Sequence, residues 1–319
     1  LIRAQVNNAR SQSAKLAFLN LKDSPHSIQA VVAASDTLSR QFVKFAASIP
    51  VESWVDVVGT IKSAPEPVKS ATVSNVELHI EELWIISKAL LQLPIAVADC
   101  ESRIPSDNAP EVAEGGRPAV ALPTRLDNRV LDLRSTLSDA IVYQIRPGVK
   151  SLFREYLEKH SFVEIDSPKL LGAASEGGAN VFEVTYFNRS AFLAQSPQFF
   201  KQMAIISGQK RVYEINPVFR AENSNTSRHL TEYTSLDMEM VFDKDYHEVI
   251  YFLRDLMFYI LNGLKTRFAE ATERVRKEYG GGEFLLPEKS EDIPIITFTE
   301  GIQMLKAAGV SISGEEDIK

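Results

Sequence analysis

Between Phe219 and Phe242 the chain reads FRAENSNTSRHLTEYTSLDMEMVF, a loop dense in Arg, His, Glu and Asn set between two strand-like runs, RVYEINPVF and EYTSLDMEMVF. Both runs alternate large apolar with polar residues, the period of antiparallel strands that have one face solvated or lining a cleft. If Arg220, Glu222, Asp237 and Glu239 share that floor, fixed cations and carboxylates stand side by side on rigid strands. Such an arrangement suits a phosphate and its metal ions. A lone arginine in a hairpin is ordinarily a solvated surface charge; its charged company makes Arg220 a candidate. A second constellation precedes it. In GAASEGGANVFEVTYFNRSAFLAQSPQFFKQMAII a Gly-rich loop leads into two strands and then a helix opening at Ser196-Pro197, where proline is well placed. Gln198 and Lys201 lie three apart on its first turns and so share a face.

The elements that must carry these groups follow from periodicity. Residues 1–90 hold five β-like runs, LIRAQV, KLAFLNL, SIQAVVA, SWVDVVGTI and VELHIEELWII, with a helix predicted from Asp36 to Ala47 between the third and fourth. That order is the order of a five-stranded oligonucleotide-binding barrel. Phe18 falls in the second run, where alternation alone fits the core and the outer face equally. From 95 to 125 the sequence is rich in Pro, Gly, Ala and acid with little periodicity, as in an interdomain linker. Ile141, Ile145, Val149, Leu152, Phe153 and Tyr156 recur at helical spacing within 136–160, ahead of the strand-like FVEIDSPKLL. Pro147-Gly148 predicts a break in that helix, because an interior proline costs ~3 kcal/mol or more. One long helix is expected over 246–279, stopped at GGGEF, and ITFTEGIQMLKAAGV reads as a short strand and another helix. The fold class is therefore α+β, in three parts: 1–94, a barrel; 95–125, a linker; and 126–319, a sheet flanked by helices.

Composition narrows the functions. The net charge of −7 over 319 residues argues against general coating of nucleic acid, which rests on Lys and Arg neutralising phosphates. Residues 1–100 hold nine basic and nine acidic side chains, so the acidity lies in the remainder and the barrel tolerates a polyanion better. A single cysteine, Cys100, excludes an internal disulfide and a cysteine-ligated zinc, and makes a reducing intracellular compartment the default. No apolar run spans a membrane, and the first residues lack the pattern of a secretory signal.

Taken together, the FRAE segment, RHL-TEY and the LDMEM strand resemble the second motif of the class II aminoacyl-tRNA synthetases, and nearly the whole chain resembles their eukaryotic cytoplasmic aspartyl branch. The resemblance implies an oligonucleotide-binding barrel that reads the anticodon and a class II antiparallel sheet flanked by helices. It implies a ligase reaction in which L-aspartate and ATP form aspartyl-adenylate, whose aspartyl group passes to tRNA(Asp). Arg220 would act on the α-phosphate. Ser175, Glu176, Gln198, Lys201, Arg220 and Asp237 would hold aspartate, with Glu176 on its ammonium group and Lys201 on its side-chain carboxylate. Arg220, Glu222, Arg228, His229, Leu230 and Tyr233 would hold ATP, Tyr233 lying under the adenine. In the barrel Gln12, Phe18, Gln29 and Glu77 would meet the anticodon, an aromatic platform plus groups that read identity. Pro168, in the first motif, would lie at a homodimer interface. The third motif, with the residues that help hold Mg2+, has no counterpart before Lys319, so the main metal ligands are expected downstream and none is assigned in this chain. Asparaginyl and lysyl enzymes share the scaffold; a cation at Lys201 favours a carboxylate substrate over either. A non-catalytic tRNA-binding or dimerising module is the alternative of a different class.

Overall fold

The computed structural model describes residues 1–24, 26–100, 120–135, 137–175, 181–224, 226, 229–279 and 281–310. The chain divides into two compact units, Leu1–Ala140 and Ile141–Lys319.

In the first unit β1 (Ile2–Ser13), β2 (Leu16–Asp23), β3 (His26–Ala33), β4 (Trp54–Ser63) and β5 (Val73–Ser87) close a barrel in the order β1-β2-β3-β5-β4. All its pairings are antiparallel except β3 with β5. Strict alternation builds the core. Ala17, Leu19 and Leu21 of β2 point inward to meet Val6, Ala30, Val32, Val55, Val57, Leu78 and Ile80. Helix α1 (Arg40–Ala47) adds Val43 and Ala46 to that core. It starts at Arg40 rather than near Asp36, because the Ser39 side chain caps it by accepting from the Phe42 amide at 3.2 Å. Gly59 sits where the β4–β5 register shifts; a Cβ there would lie 2.1 Å from the His79 carbonyl, so the strands approach only because the side chain is absent. After the barrel come α2 (Val97–Cys100), α3 (Leu122–Asp127) and α4 (Arg129–Ser135). Asp132, fully buried, pairs there with Arg125 and Arg129, while Arg134 reaches Glu52 of the barrel. Residues 101–119, most of the expected linker, lie outside the described residues.

The second unit contains most of α5 (Leu137–Lys159), then β6 (Val163–Glu164), β7 (Leu170–Leu171), β8 (Glu183–Tyr186), β9 (Arg189–Leu193), α6 (Gln198–Ile206), β10 (Arg211–Phe219), β11 (Glu232–Met240), α7 (His247–Thr266), α8 (Ala269–Tyr279) and α9 (Phe298–Ala307). One sheet has the order β11-β10-β6, the other β7-β9-β8. The β10–β11 hairpin runs antiparallel over nine residue pairs, and β6 joins β10 in parallel. Tyr213, Ile215, Leu236, Met238 and Met240 occupy one face of the hairpin and pack with Leu152, Phe153 and Leu157 of α5 and Leu256, Ile260 and Leu264 of α7. The opposite face is left for polar groups.

Three expectations are corrected. Helix α5 runs unbroken through Pro147. Proline's φ is helical, and Pro147 is exposed, where water can reach the carbonyl it leaves unpaired. Gly148 serves packing rather than a turn, since a Cβ there would meet the Phe268 ring at 2.7 Å. The long helix expected over 246–279 is two, because the chain turns at Arg267 and Phe268 to seat that ring against α5. The strand expected before α9 is absent; Thr297 instead forms a capping box with Glu300 that starts the helix. Among the described residues no helix is long and apolar enough to cross a membrane.

Candidate active site and nucleic-acid face

Strand parity decides which side chains share the polar face of the hairpin. Residues directly opposite in an antiparallel pair project to the same side, and the register pairs Val212 with Glu239, Glu214 with Asp237, Asn216 with Ser235 and Val218 with Tyr233. The ladder extends one step further, with the Arg220 amide donating to the Thr231 carbonyl at 3.0 Å. Even-numbered residues of β10, Arg220 by continuation, and odd-numbered residues of β11 therefore form one floor.

Helix α6 lies against this floor. Its Lys201 is only 3% exposed, and Lys201 Nζ lies 3.2 Å from Asp237 Oδ1, 3.2 Å from the Met238 carbonyl and 3.3 Å from Glu239 Oε2. Gln198, one turn earlier, donates to the same Glu239 oxygen at 3.3 Å. The shared face expected of Gln198 and Lys201 is thus present. Ser235 donates to the other oxygen of Asp237. Arg220 Nε is buried with no hydrogen-bond partner, an orphan donor whose burial is costly unless an acceptor fills the space beside it.

Sequence reasoning missed a second charged group on this floor. Glu214 is 1% exposed and accepts from the Ser167 amide at 3.0 Å, from Lys169 Nζ at 2.7 Å and from Asn216 Nδ2 at 2.7 Å. Burial pushes its carboxyl pKa up, but the Lys169, Asn216 and Ser167 donors outweigh that and hold it below the usual value. Its parity with Arg220, six residues on, was the available signal. Pro168, between Ser167 and Lys169, is exposed.

The remaining candidates are distributed more widely. Ser175 Oγ accepts from the Gln195 amide at 3.2 Å. Glu222 lies past the end of β10, with its Oε2 3.8 Å from His229 Nε2, and His229 Nδ1 is 2.6 Å from Thr226 Oγ1. Leu230 is exposed and Tyr233 half-buried. Glu176 and Arg228 lie outside the described residues. Among the described residues no group of three or more His, Cys, Asp or Glu is gathered to hold a metal ion.

On the barrel, the inward alternation of Ala17, Leu19 and Leu21 turns Phe18 and Asn20 outward. The Arg10 guanidinium lies 5.1 Å from the Phe18 ring centre, and both line a small depression of about 140 Å³ with Asn8, Asn20 and Gln29. Gln29 Nε2 donates to Glu77 Oε1 at 2.6 Å, while Asn20 donates to the Ser70 carbonyl and leaves its own buried oxygen unpaired. Gln12 is exposed at the far end of β1. The outer face thus offers an aromatic surface, a cation and unspent amide groups, the components of a single-strand binding surface.

Residues 121–318 match a family described as tRNA synthetases class II (D, K and N), and residues 1–86 match an OB-fold nucleic acid binding domain. The chain is 43% identical over 317 residues to the aspartate–tRNA ligase, cytoplasmic, of Homo sapiens, covering 99% of this chain and 61% of that protein. Over 318 residues it is 39% identical to the Caenorhabditis elegans protein of the same name, covering 99% and 59%. The chain therefore spans about three-fifths of the length of these curated relatives. Among solved structures it is similar to the aspartyl tRNA synthetase from Entamoeba histolytica, with a TM-score of 0.83 at 34% identity over 100% of this chain and 62% of that one. An asparaginyl-tRNA synthetase from Pyrococcus horikoshii, complexed with asparaginyl-adenylate, gives a TM-score of 0.74 at 27% identity over 100% and 66%.

Proposed function

Because the chain belongs to the class II tRNA synthetases (D, K and N), we propose that it carries the aspartate- and ATP-binding part of an enzyme that joins L-aspartate to tRNA(Asp) in the cytoplasm. The observation that carries this reading is Lys201, a buried cation beside Gln198 at the floor of the hairpin. A fixed ammonium there attracts a carboxylate side chain, repels lysine and leaves asparagine without a charge to offer.

In this reading the aspartate α-carboxylate attacks the α-phosphate of ATP, the bond to the β-phosphate oxygen breaks, and pyrophosphate leaves. A terminal ribose hydroxyl of tRNA then attacks the activated carbonyl and AMP departs. No side-chain nucleophile takes part; the protein holds the reactants and answers charge moving onto phosphate oxygens. Arg220, with its unspent buried Nε, supplies the forked donor at the α-phosphate that a lysine could not. Glu222, Arg228, His229, Leu230 and Tyr233 are assigned to ATP, and Ser175, Glu176, Gln198, Lys201, Arg220 and Asp237 to aspartate. Mg2+ is expected to accompany ATP. Residues 1–94 are read as the anticodon barrel, with Gln12, Phe18, Gln29 and Glu77 on the tRNA; residues 95–125 as a linker; and 126–319 as the catalytic domain, with Pro168 at a homodimer contact.

The test is ATP–pyrophosphate exchange by the full-length protein with aspartate, asparagine or lysine as the only amino acid. Exchange with aspartate alone is expected. Equal or faster exchange with asparagine or lysine would overturn the assignment.

A further inference from the structure

Lys201 Nζ donates to Asp237 Oδ1 and to the Met238 carbonyl, and it holds Glu239 Oε2 only as an ion pair without hydrogen-bond geometry. An ammonium carries three N–H groups, and Asp237 Oδ1, the Met238 carbonyl and Glu239 Oε2 surround it at 3.2, 3.2 and 3.3 Å. A ligand carboxylate that is to meet Nζ competes with these three, and the contact without hydrogen-bond geometry yields most readily. The Met238 carbonyl is main chain within the β11 ladder, opposite Tyr213, and cannot move without the strand. Asp237 is tied by its second oxygen to Ser235. Glu239 is held less firmly: its contacts with Lys201 Nζ and Gln198 Nε2 both fall on one oxygen, Oε2, at 3.3 Å, and its side chain is longer than that of the equally exposed Asp237.

We propose that Glu239 is a placeholder carboxylate, which pairs with Lys201 while the pocket is empty and is displaced by the side-chain carboxylate of the amino acid. The inference rests on the reading of this pocket as the aspartate site and deepens it. A buried ammonium is costly unless it is well paired; beside the fixed Asp237, Glu239 supplies the second carboxylate until the ligand arrives. On binding, one carboxylate replaces another at Nζ, and Glu239 turns toward Gln198 and solvent. The exchange has a consequence for affinity. Aspartate must both displace Glu239 and bear its repulsion, whereas a neutral ligand must only displace it. Glu239 is in this sense a positioning residue that acts through Lys201.

The test compares KM values for aspartate and asparagine in exchange by the full-length protein and its Glu239→Gln variant. The KM for aspartate should fall about tenfold on removal of the competing charge, and that for asparagine by less. A merely structural residue would raise KM and lower kcat together, and a raised KM for aspartate overturns the proposal. A second measurement needs no variant. In the aspartate-bound structure of the unmodified protein, a ligand oxygen should stand within hydrogen-bond distance of Lys201 Nζ with Glu239 beyond it. Glu239 still paired with Lys201 overturns the placeholder role while aspartate-dependent exchange stands; exchange that ignores aspartate overturns the pocket assignment and this inference with it.

Discussion

Ser167 grips the buried carboxylate of Glu214 through both its amide, 3.0 Å from Oε1, and its hydroxyl, 2.8 Å from Oε2. Lys169 closes the group from the other side of Pro168, with Nζ 2.7 Å from Glu214 Oε1. The exposed proline thus sits between two residues anchored to Glu214, which stands directly opposite Asp237 in the hairpin.

Glu214→Ala leaves Lys169, four-fifths buried, without its carboxylate. Removing one partner of a buried ion pair costs about 3–5 kcal/mol, so a markedly lower denaturation midpoint is expected by chemical unfolding. The sign with pH follows from the lowered pKa of Glu214 in the folded state. Its contribution is fully present above the ordinary carboxyl value of 4.5 and is lost as pH falls through the depressed folded value. Glu214→Gln should therefore flatten the acid limb of a stability–pH curve below about pH 5; an unchanged acid limb would show that the group is not ionised when folded.

Arg220→Lys in the full-length protein should slow ATP–pyrophosphate exchange by roughly 10²–10³, since a point charge cannot reproduce the forked donor. Affinity for tRNA, measured by filter binding, should persist. Near-normal exchange would remove Arg220 from the first step.

Lys201→Met keeps the length of the side chain and removes its charge, leaving Asp237 and Glu239 with no cation between them. The preference for aspartate over asparagine should be lost, as read from the two kcat/KM values. Unchanged discrimination would reassign Lys201 to a purely structural pairing with β11.

Phe18→Ala removes the outward ring from the barrel while the inward residues of β2 are untouched. Affinity for tRNA should weaken by the ~1–3 kcal/mol of one stacked base, with exchange in the absence of tRNA unaffected. Equal tRNA affinity would mean that the ring only packs on Arg10.

Period and order are local properties, and they were legible. Alternation in the first 90 residues predicts five strands, and the helix between the third and fourth predicts the barrel, because side-chain period 2 and a capped amphipathic turn are written in consecutive residues. The same parity places Asp237 and Glu239 on one face of β11, and spacing by three places Gln198 with Lys201. Tertiary structure decided what stands opposite. Whether Phe18 faced in or out depended on whether it or its two neighbours, Ala17 and Leu19, closed the core. Pro147 could stay within a helix because its side of the turn faces water, while Gly148 beside it lets Phe268, more than a hundred residues later, pack on that turn. Glu214 found Ser167 and Lys169 through the parallel approach of the chain beside β6 and β10. Lys201, by its type alone a surface residue, became a buried cation because α6 lies across two carboxylates of β11. Charge burial is set by what packs above a side chain, and no local pattern in the chain encodes that.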